Sequence, residues 1–190
     1  MSGPTVVVTP ATFTLVDYDA ERIAALVSEA AGWVGFDEAD EIRMEIAEQM
    51  PTSQVSIVSV QPLVLAVEGG AFEDLKRPRK LSEVSVQTVA VRILARIGDR
   101  RRDGFGDAPA EGDLTVDQTD AWDAWALGRA AARGLAVAQP RWRYRFRNRH
   151  GFTDTADRVF DRLWAASDLT WEDLRAACAE TAAARLAAAS

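Results

Sequence analysis

Hydrophobic and polar residues alternate along the first part of the chain, a spacing typical of β-strands with one buried face. The clearest example is residues 41–48, where Ile42, Met44 and Ile46 alternate with charged or smaller residues. Comparable runs predict three more strands, at residues 12–16, 55–60 and 63–67. Pro62 separates the last two, because proline has no N–H for a ladder hydrogen bond.

Elsewhere, apolar residues recur at every third or fourth position, which predicts α-helices. One helix begins near Asp17, and a second covers residues 81–98 with Ser82 as its cap. Three more are predicted: residues 119–133, one starting at Thr153 or Asp154, and one starting after Thr170. Residues 99–115 are rich in glycine and aspartate, so we expect an irregular loop there and the most mobile part of the chain.

An alternation of arginines and aromatic residues stands out near residue 141. Arg141, Arg143, Arg145 and Arg147 alternate with Trp142, Tyr144 and Phe146. A period of two predicts a β-strand, with the arginines on one face and the rings on the other. If the segment is a helix instead, its whole surface is basic.

These elements together predict an α+β fold, with a small, mostly antiparallel sheet packed against several α-helices and a helical C-terminal half. The chain has 190 residues and shows neither an internal repeat nor a low-complexity linker. We therefore expect a single α+β domain covering residues 1–190.

Charge is distributed in blocks along the chain. The formal net charge is −7, with an acidic first block, residues 1–75, and a basic one at residues 141–150. Opposite blocks most simply neutralise one another, within the chain or between two copies. A net negative charge makes nucleic-acid binding unlikely, and no segment is long and apolar enough for a membrane span.

The common catalytic motifs are absent from the sequence. A single histidine excludes His-Glu-x-x-His zinc sites, and neither a phosphate-binding loop nor Gly-x-Ser-x-Gly is present. The single cysteine, Cys178, excludes an intramolecular disulfide, and we expect it to pack in a helix. We expect no metal site and no cofactor, and whether the protein is an enzyme stays uncertain, with binding favoured.

Two groups of residues are candidate binding sites. The first is the basic segment, which ends in a histidine that we expect in a turn with a neutral ring. The second is a pair of carboxylates that flank a Gly-Gly turn, where a general acid or base could be displayed. The candidate residues are Arg141, Arg143, Arg145, Arg147, Arg149, His150, Glu68 and Glu73.

The sequence favours a non-catalytic protein-interaction or self-associating module of unknown role. The expected partners are a second copy, giving a homodimer, or an acidic protein that arginine can bind through its carboxylates. The alternatives are an enzyme or binder acting on a small anionic ligand through carboxylates and arginines, and, with less support, nucleic-acid binding. No secretory signal is visible, so we expect a cytoplasmic protein, and its 20 arginines and 34 alanines suggest a bacterial source.

Overall fold

The computed structural model describes residues 3–188 and has the α+β fold predicted from the sequence. The strands are β1 (Thr5–Thr9), β2 (Glu41–Ala47), β3 (Val55–Val60), β4 (Leu63–Glu68), β5 (Glu73–Asp74) and β6 (Arg77–Leu81). The helices are α1 (Ala20–Trp33), α2 (Glu83–Asp99), α3 (Val116–Ala131), α4 (Gln139–His150), α5 (Asp154–Ala165) and α6 (Trp171–Ala188). The helical C-terminal half is therefore confirmed. No helix among the described residues is both long enough and apolar enough to cross a membrane.

The chain forms two compact units, one up to Leu94 and one from Ala95 onward. The first contains all six strands and α1, and the second contains α3 to α6. Helix α2 begins in the first unit and ends in the second. The single domain expected from the sequence stays a prediction.

The main sheet of the first unit is mixed. Its strand order is β1-β2-β4-β3, with β1–β2 and β2–β4 parallel and β3–β4 antiparallel. The sequence analysis predicted a mostly antiparallel sheet. A parallel neighbour needs a long crossover, and α1 supplies one between β1 and β2.

The alternation predicted in β2 and β4 is present in the structure. Ile42, Met44 and Ile46 of β2 are buried. In β4, every second residue from Leu63 onward is buried. The other face carries exposed Glu41, Arg43 and Glu45. Strand alternation therefore identified the buried side of the sheet correctly.

The strand predicted at residues 12–16 is wrong, and β1 lies earlier in the chain. Glu48 explains the difference, because its carboxylate accepts hydrogen bonds from the backbone N–H groups of Thr14 (2.8 Å) and Leu15 (2.7 Å). These bonds hold the segment as a loop and lower the pKa of Glu48. β1 itself has three consecutive valines and thus no alternation to detect.

Aromatic residues dominate the core of the second unit. Trp122 and Trp125 of α3 are buried, with Phe146 of α4 and Phe160 of α5 in the same cluster. The last two helices start where the sequence predicted, and both starts are capped: the Thr153 hydroxyl accepts from the N–H of Ala156, and Thr170 and Asp173 exchange hydrogen bonds at the start of α6. These caps satisfy N–H groups that a helix leaves unpaired at its start.

The loop before α3 is irregular, as predicted, apart from a short 3-10 turn at Glu111–Asp113. Phe105 anchors it: the ring is buried and lies 5.1 Å from Trp122 and 5.9 Å from Trp125, centroid to centroid. Gly104 adds a backbone contact, since its carbonyl accepts from the N–H of Trp171 at 3.0 Å. Phe105 thus ties a mostly exposed loop to the core of its unit.

The strand predicted at Arg141, Arg143, Arg145 and Arg147 is wrong, because these residues belong to α4. Pro140 lies in the first turn, where its missing N–H costs nothing, and Gly151 ends the helix with φ at 98°. His150 is accordingly the last residue of a helix and not a turn residue.

Candidate protein-interaction surface

Three side chains at intervals of four fix the orientation of α4. Trp142, Phe146 and His150 point toward the rest of the second unit; Phe146 and His150 are fully buried and Trp142 is half-buried. A spacing of four places them on one stripe of an α-helix. The arginines and Tyr144 therefore occupy the flanks and the outer side of the helix.

His150 is a packed, neutral group. Its ring stacks on Phe146 at a centroid distance of 3.8 Å, with Nδ1 2.8 Å from the Thr181 hydroxyl and Nε2 3.1 Å from the carbonyl oxygen of Asp117. A carbonyl oxygen only accepts, so Nε2 carries the proton and Nδ1 accepts from Thr181. Burial lowers the pKa of His150, an effect that the charge of Asp117 partly opposes.

Two of the candidate arginines are bound by α5. Arg147 donates to Asp157 through Nε at 2.7 Å, and Arg143 donates to Asp161 through a nitrogen at 3.0 Å. The hydrogen bond from Arg147 lowers the pKa of Asp157, and the charge of Arg143 adds to the effect. Both arginines thus hold α4 against α5.

Two other arginines of α4 lie beside an aspartate of α3. Arg145 donates to Asp120 at 3.0 Å, and Nε of Arg149 lies 3.9 Å from the second carboxylate oxygen of the same residue. The side chain of Asp120 is only 3% exposed, so it is a buried charge that needs cations nearby. The side chains of both arginines remain about half-exposed.

The internal pairing expected for this segment is present, but its partners differ from the suggested ones. The charge blocks suggested partners within the acidic residues 1–75, whereas Glu41 there accepts a hydrogen bond from Arg43. The aspartates that do pair with α4 are Asp120, Asp157 and Asp161. Asp157 and Asp161 are four residues apart in the helix predicted after Thr153, a spacing that could have identified them.

The outer side of α4 carries an exposed aromatic pair. Tyr144 is 60% exposed and Phe152, just beyond the helix, is 64% exposed. Their ring centroids lie 5.9 Å apart in an edge-to-face arrangement. Around them are further exposed polar residues, and we call the resulting surface the α4 face: Arg141, Tyr144, Arg145, Asn148 and Phe152.

The α4 face combines the residue types that dominate protein interfaces. Tyrosine and arginine are enriched among the residues that contribute most binding energy, because they offer a large apolar area together with polar atoms. Four arginines of α4 share three aspartates in the contacts described above, and Arg141 is a fifth, so positive charge is left over on this helix. The α4 face is therefore suited to bind a partner surface that carries carboxylates around an apolar side chain.

Glu68 and Glu73 lie in the first unit and hold its loops. Glu68 accepts hydrogen bonds from the hydroxyl of Thr52 and the N–H of Gln54, and Glu73 accepts from the N–H of Arg79. Between them, the carbonyl of Gly69 accepts from the phenol of Tyr18 at 2.7 Å. Glu68 also lines an open groove of about 460 Å³ on the sheet, together with Glu45 and Ser56.

Cys178 packs within α6, as expected from the sequence. Burial raises the pKa of its thiol to about 12, and the nearby charge of Asp117 adds to the effect. A thiol with such a pKa is almost entirely protonated at neutral pH, so it is a poor nucleophile.

Comparisons of the chain with protein-family models, with curated proteins and with solved structures found no match.

Proposed function

We propose that the protein acts in the cytoplasm as a protein-interaction module that binds an acidic segment of a partner through the α4 face. The observation that carries this proposal is the exposed Tyr144–Phe152 pair on a helix with five arginines. Isolated exposed apolar residues are ordinary, but two contacting rings within a basic surface are a compact anchor point.

Charge supports an acidic partner. Arg141 is exposed, and no ion pair to it occurs among residues 3–188. Arg145 and Arg149 share one aspartate and keep about half of their side chains in solvent. Guanidinium groups bind carboxylates with two parallel hydrogen bonds, so these side chains favour aspartate and glutamate over neutral surfaces.

Two other functions have less support. Nucleic-acid binding through stacked bases needs several exposed rings, whereas Phe146 is buried and Trp142 half-buried. An enzyme or binder of a small anionic ligand would use Glu68 and Glu73, yet both carboxylates already accept hydrogen bonds from backbone N–H groups, of Gln54 and of Arg79.

The test uses a fluorescent synthetic peptide of aspartate and glutamate with a central tryptophan, measured by anisotropy at low salt. We expect Tyr144→Ala and Arg141→Glu to weaken binding by about tenfold or more, because each removes part of the anchor. Arg158→Glu is the matched control: it is an exposed arginine of α5 with the same charge change, and should shift affinity less than twofold.

Three outcomes would overturn the proposal: no binding of the peptide, equal losses in Arg141→Glu and Arg158→Glu, or tighter binding of a single-stranded thymidine oligonucleotide than of the peptide. The last would assign the α4 face to nucleic acid. Circular dichroism of each variant checks that the helices are retained.

A further inference from the structure

β1 is an edge strand with a palindromic sequence. It lies at one end of the strand order, so one side of its backbone has no neighbour among the described strands. Residues 4–10 have the sequence Pro-Thr-Val-Val-Val-Thr-Pro, which is identical in both directions about Val7. Two antiparallel copies of such a segment place like residues opposite each other.

The hydrogen bonds to β2 show which backbone groups of β1 are free. The N–H of Thr5 donates to the carbonyl of Asp40 at 3.1 Å, and Thr5 pairs with Glu41 in the parallel register. Backbone groups alternate in direction along a strand, so Thr5, Val7 and Thr9 bond to β2. The N–H and C=O groups of Val6 and Val8 therefore point to the open edge.

We propose that two copies of this chain associate by antiparallel pairing of their β1 strands about a two-fold axis at Val7. Val6 of one copy is then opposite Val8 of the other, and each such pair exchanges two backbone hydrogen bonds. The two pairs satisfy all the free N–H and C=O groups of Val6 and Val8. The two sheets join into one continuous sheet of eight strands.

The prolines select this register. Pro4 and Pro10 come directly before and after β1, and neither has an N–H to donate. With the axis at Val7, no valine of one copy is opposite a proline of the other. A shift of two residues places Val8 opposite Pro4 and loses a donor, and a shift of one turns the side chains to the wrong face.

The side chains also fit a second copy. Val7 is 45% exposed and lies on the same face as exposed Thr5 and Thr9. At the axis the two Val7 side chains meet as a non-hydrogen-bonded pair, and each Thr5 is opposite a Thr9. β1 has no charged residue, so pairing with itself brings no like charges together.

The other edge strand, β3, is less suited to pairing. It carries a bulge at Val58, because its register with β4 shifts between Ile57 and Ser59. A bulge twists an edge and interrupts the regular row of donors and acceptors, which is one way in which proteins protect open edges. β1 has a regular register along all five residues.

Sedimentation of Val7→Lys and Val58→Lys variants tests whether the edge of β1 is the dimer interface. Both valines are exposed and on edge strands, so both variants should fold. We expect the native chain to show a monomer–dimer equilibrium that Val7→Lys shifts toward monomer by about fivefold or more, because two lysines meet at the axis. Val58→Lys should leave the equilibrium unchanged.

Cross-linking tests the register in a Cys178→Ser background. The two copies of residue 7 lie about 4.5 Å apart between Cα atoms, within the range of a disulfide. Val7→Cys should therefore form a covalent dimer under mild oxidation, and Val58→Cys should not. Thr5→Cys and Thr9→Cys should each form no covalent dimer alone but should cross-link to each other when mixed.

A native chain that stays monomeric at high concentration would overturn the inference, as would a dimer that Val7→Lys leaves intact or equal cross-linking of Val7→Cys and Val58→Cys. This inference concerns a surface of the first unit. Its outcome is separate from that of peptide binding at the α4 face, which can succeed or fail in a monomer.

Discussion

Asp99 and Arg129 form a buried, two-point ion pair, with hydrogen bonds of 2.9 and 2.7 Å between the guanidinium and the two carboxylate oxygens. The guanidinium also lies 3.7 Å from the ring centroid of Trp125. Asp99 accepts two more hydrogen bonds, from Arg102 at 3.0 Å and from the indole of Trp122 at 2.8 Å. One carboxylate on the last turn of α2 thus accepts from three side chains, one in the following loop and two on α3.

Replacing this carboxylate should destabilise the second unit strongly. Asp99→Ala leaves Arg129 and the Trp122 indole without their acceptor, and removing one partner of a buried ion pair costs about 3–5 kcal/mol. Urea unfolding followed by tryptophan fluorescence measures the change. Asp103→Ala is the control, because Asp103 is exposed and should change stability by less than about 0.5 kcal/mol. Equal effects of the two substitutions would contradict the structural role of Asp99.

His150 should make stability decline as the pH falls below about 6.5. Burial lowers its pKa in the folded chain from the ordinary value of 6.5, so the unfolded chain binds a proton first as pH falls. Stability is complete above pH 6.5 and declines as the pH falls below it. The chain has one histidine, so His150→Gln should flatten the slope of the free energy of unfolding in this range. An unchanged slope in that variant would show that another group titrates.

Alanine substitutions at two helical glycines should change stability in opposite directions. A Cβ on Gly128 of α3 would overlap the carbonyl oxygen of Trp164, at the close approach of α3 and α5. A Cβ on Gly32 of α1 meets no atom within 4 Å. Gly128→Ala should lower stability by about 1–3 kcal/mol, and Gly32→Ala should raise it by up to about 1 kcal/mol. Calorimetry of both variants makes the comparison, and the same sign for both would contradict it.

Tyr18 should ionise late in an alkaline titration. Burial raises the pKa of its phenol to about 12, with a further contribution from Glu73. The folded chain retains this proton at pH values where the unfolded chain has lost it, so stability declines as the pH rises above 10. Tyr144→Phe leaves Tyr18 as the single tyrosine, and ultraviolet absorbance then follows it alone. A midpoint near 10 would show that the phenol is accessible to water.

The error at α4 has a physical origin. A spacing of four is also a multiple of two, so Trp142 and Phe146 fit both a strand and a helix. The residues that distinguish a helix from a strand here lie outside the alternation. They are Pro140 at the start, Gly151 at the end, and His150, which continues the spacing of four. Helix boundaries therefore carried more information than the most regular pattern in the chain.

The sequence predicted most elements but not how they pair. The periods of β2, β4 and α5 reflect one buried face each, which a local pattern records. Strand order and the aspartates that bind the α4 arginines depend on distant residues, and no local spacing encodes them. For the same reason, the α4 face emerged only once the direction of Trp142 and Phe146 was fixed.

The bulge at Val58 has a consequence for the size of any assembly. A subunit whose two sheet edges can both pair with another copy polymerises without limit, because each added copy leaves an unpaired edge. In the proposed dimer the outermost strand on either side is β3, and its extra residue interrupts the row of donors there. We therefore expect growth to stop at two copies, and substitutions that remove the bulge should be the ones that produce fibres.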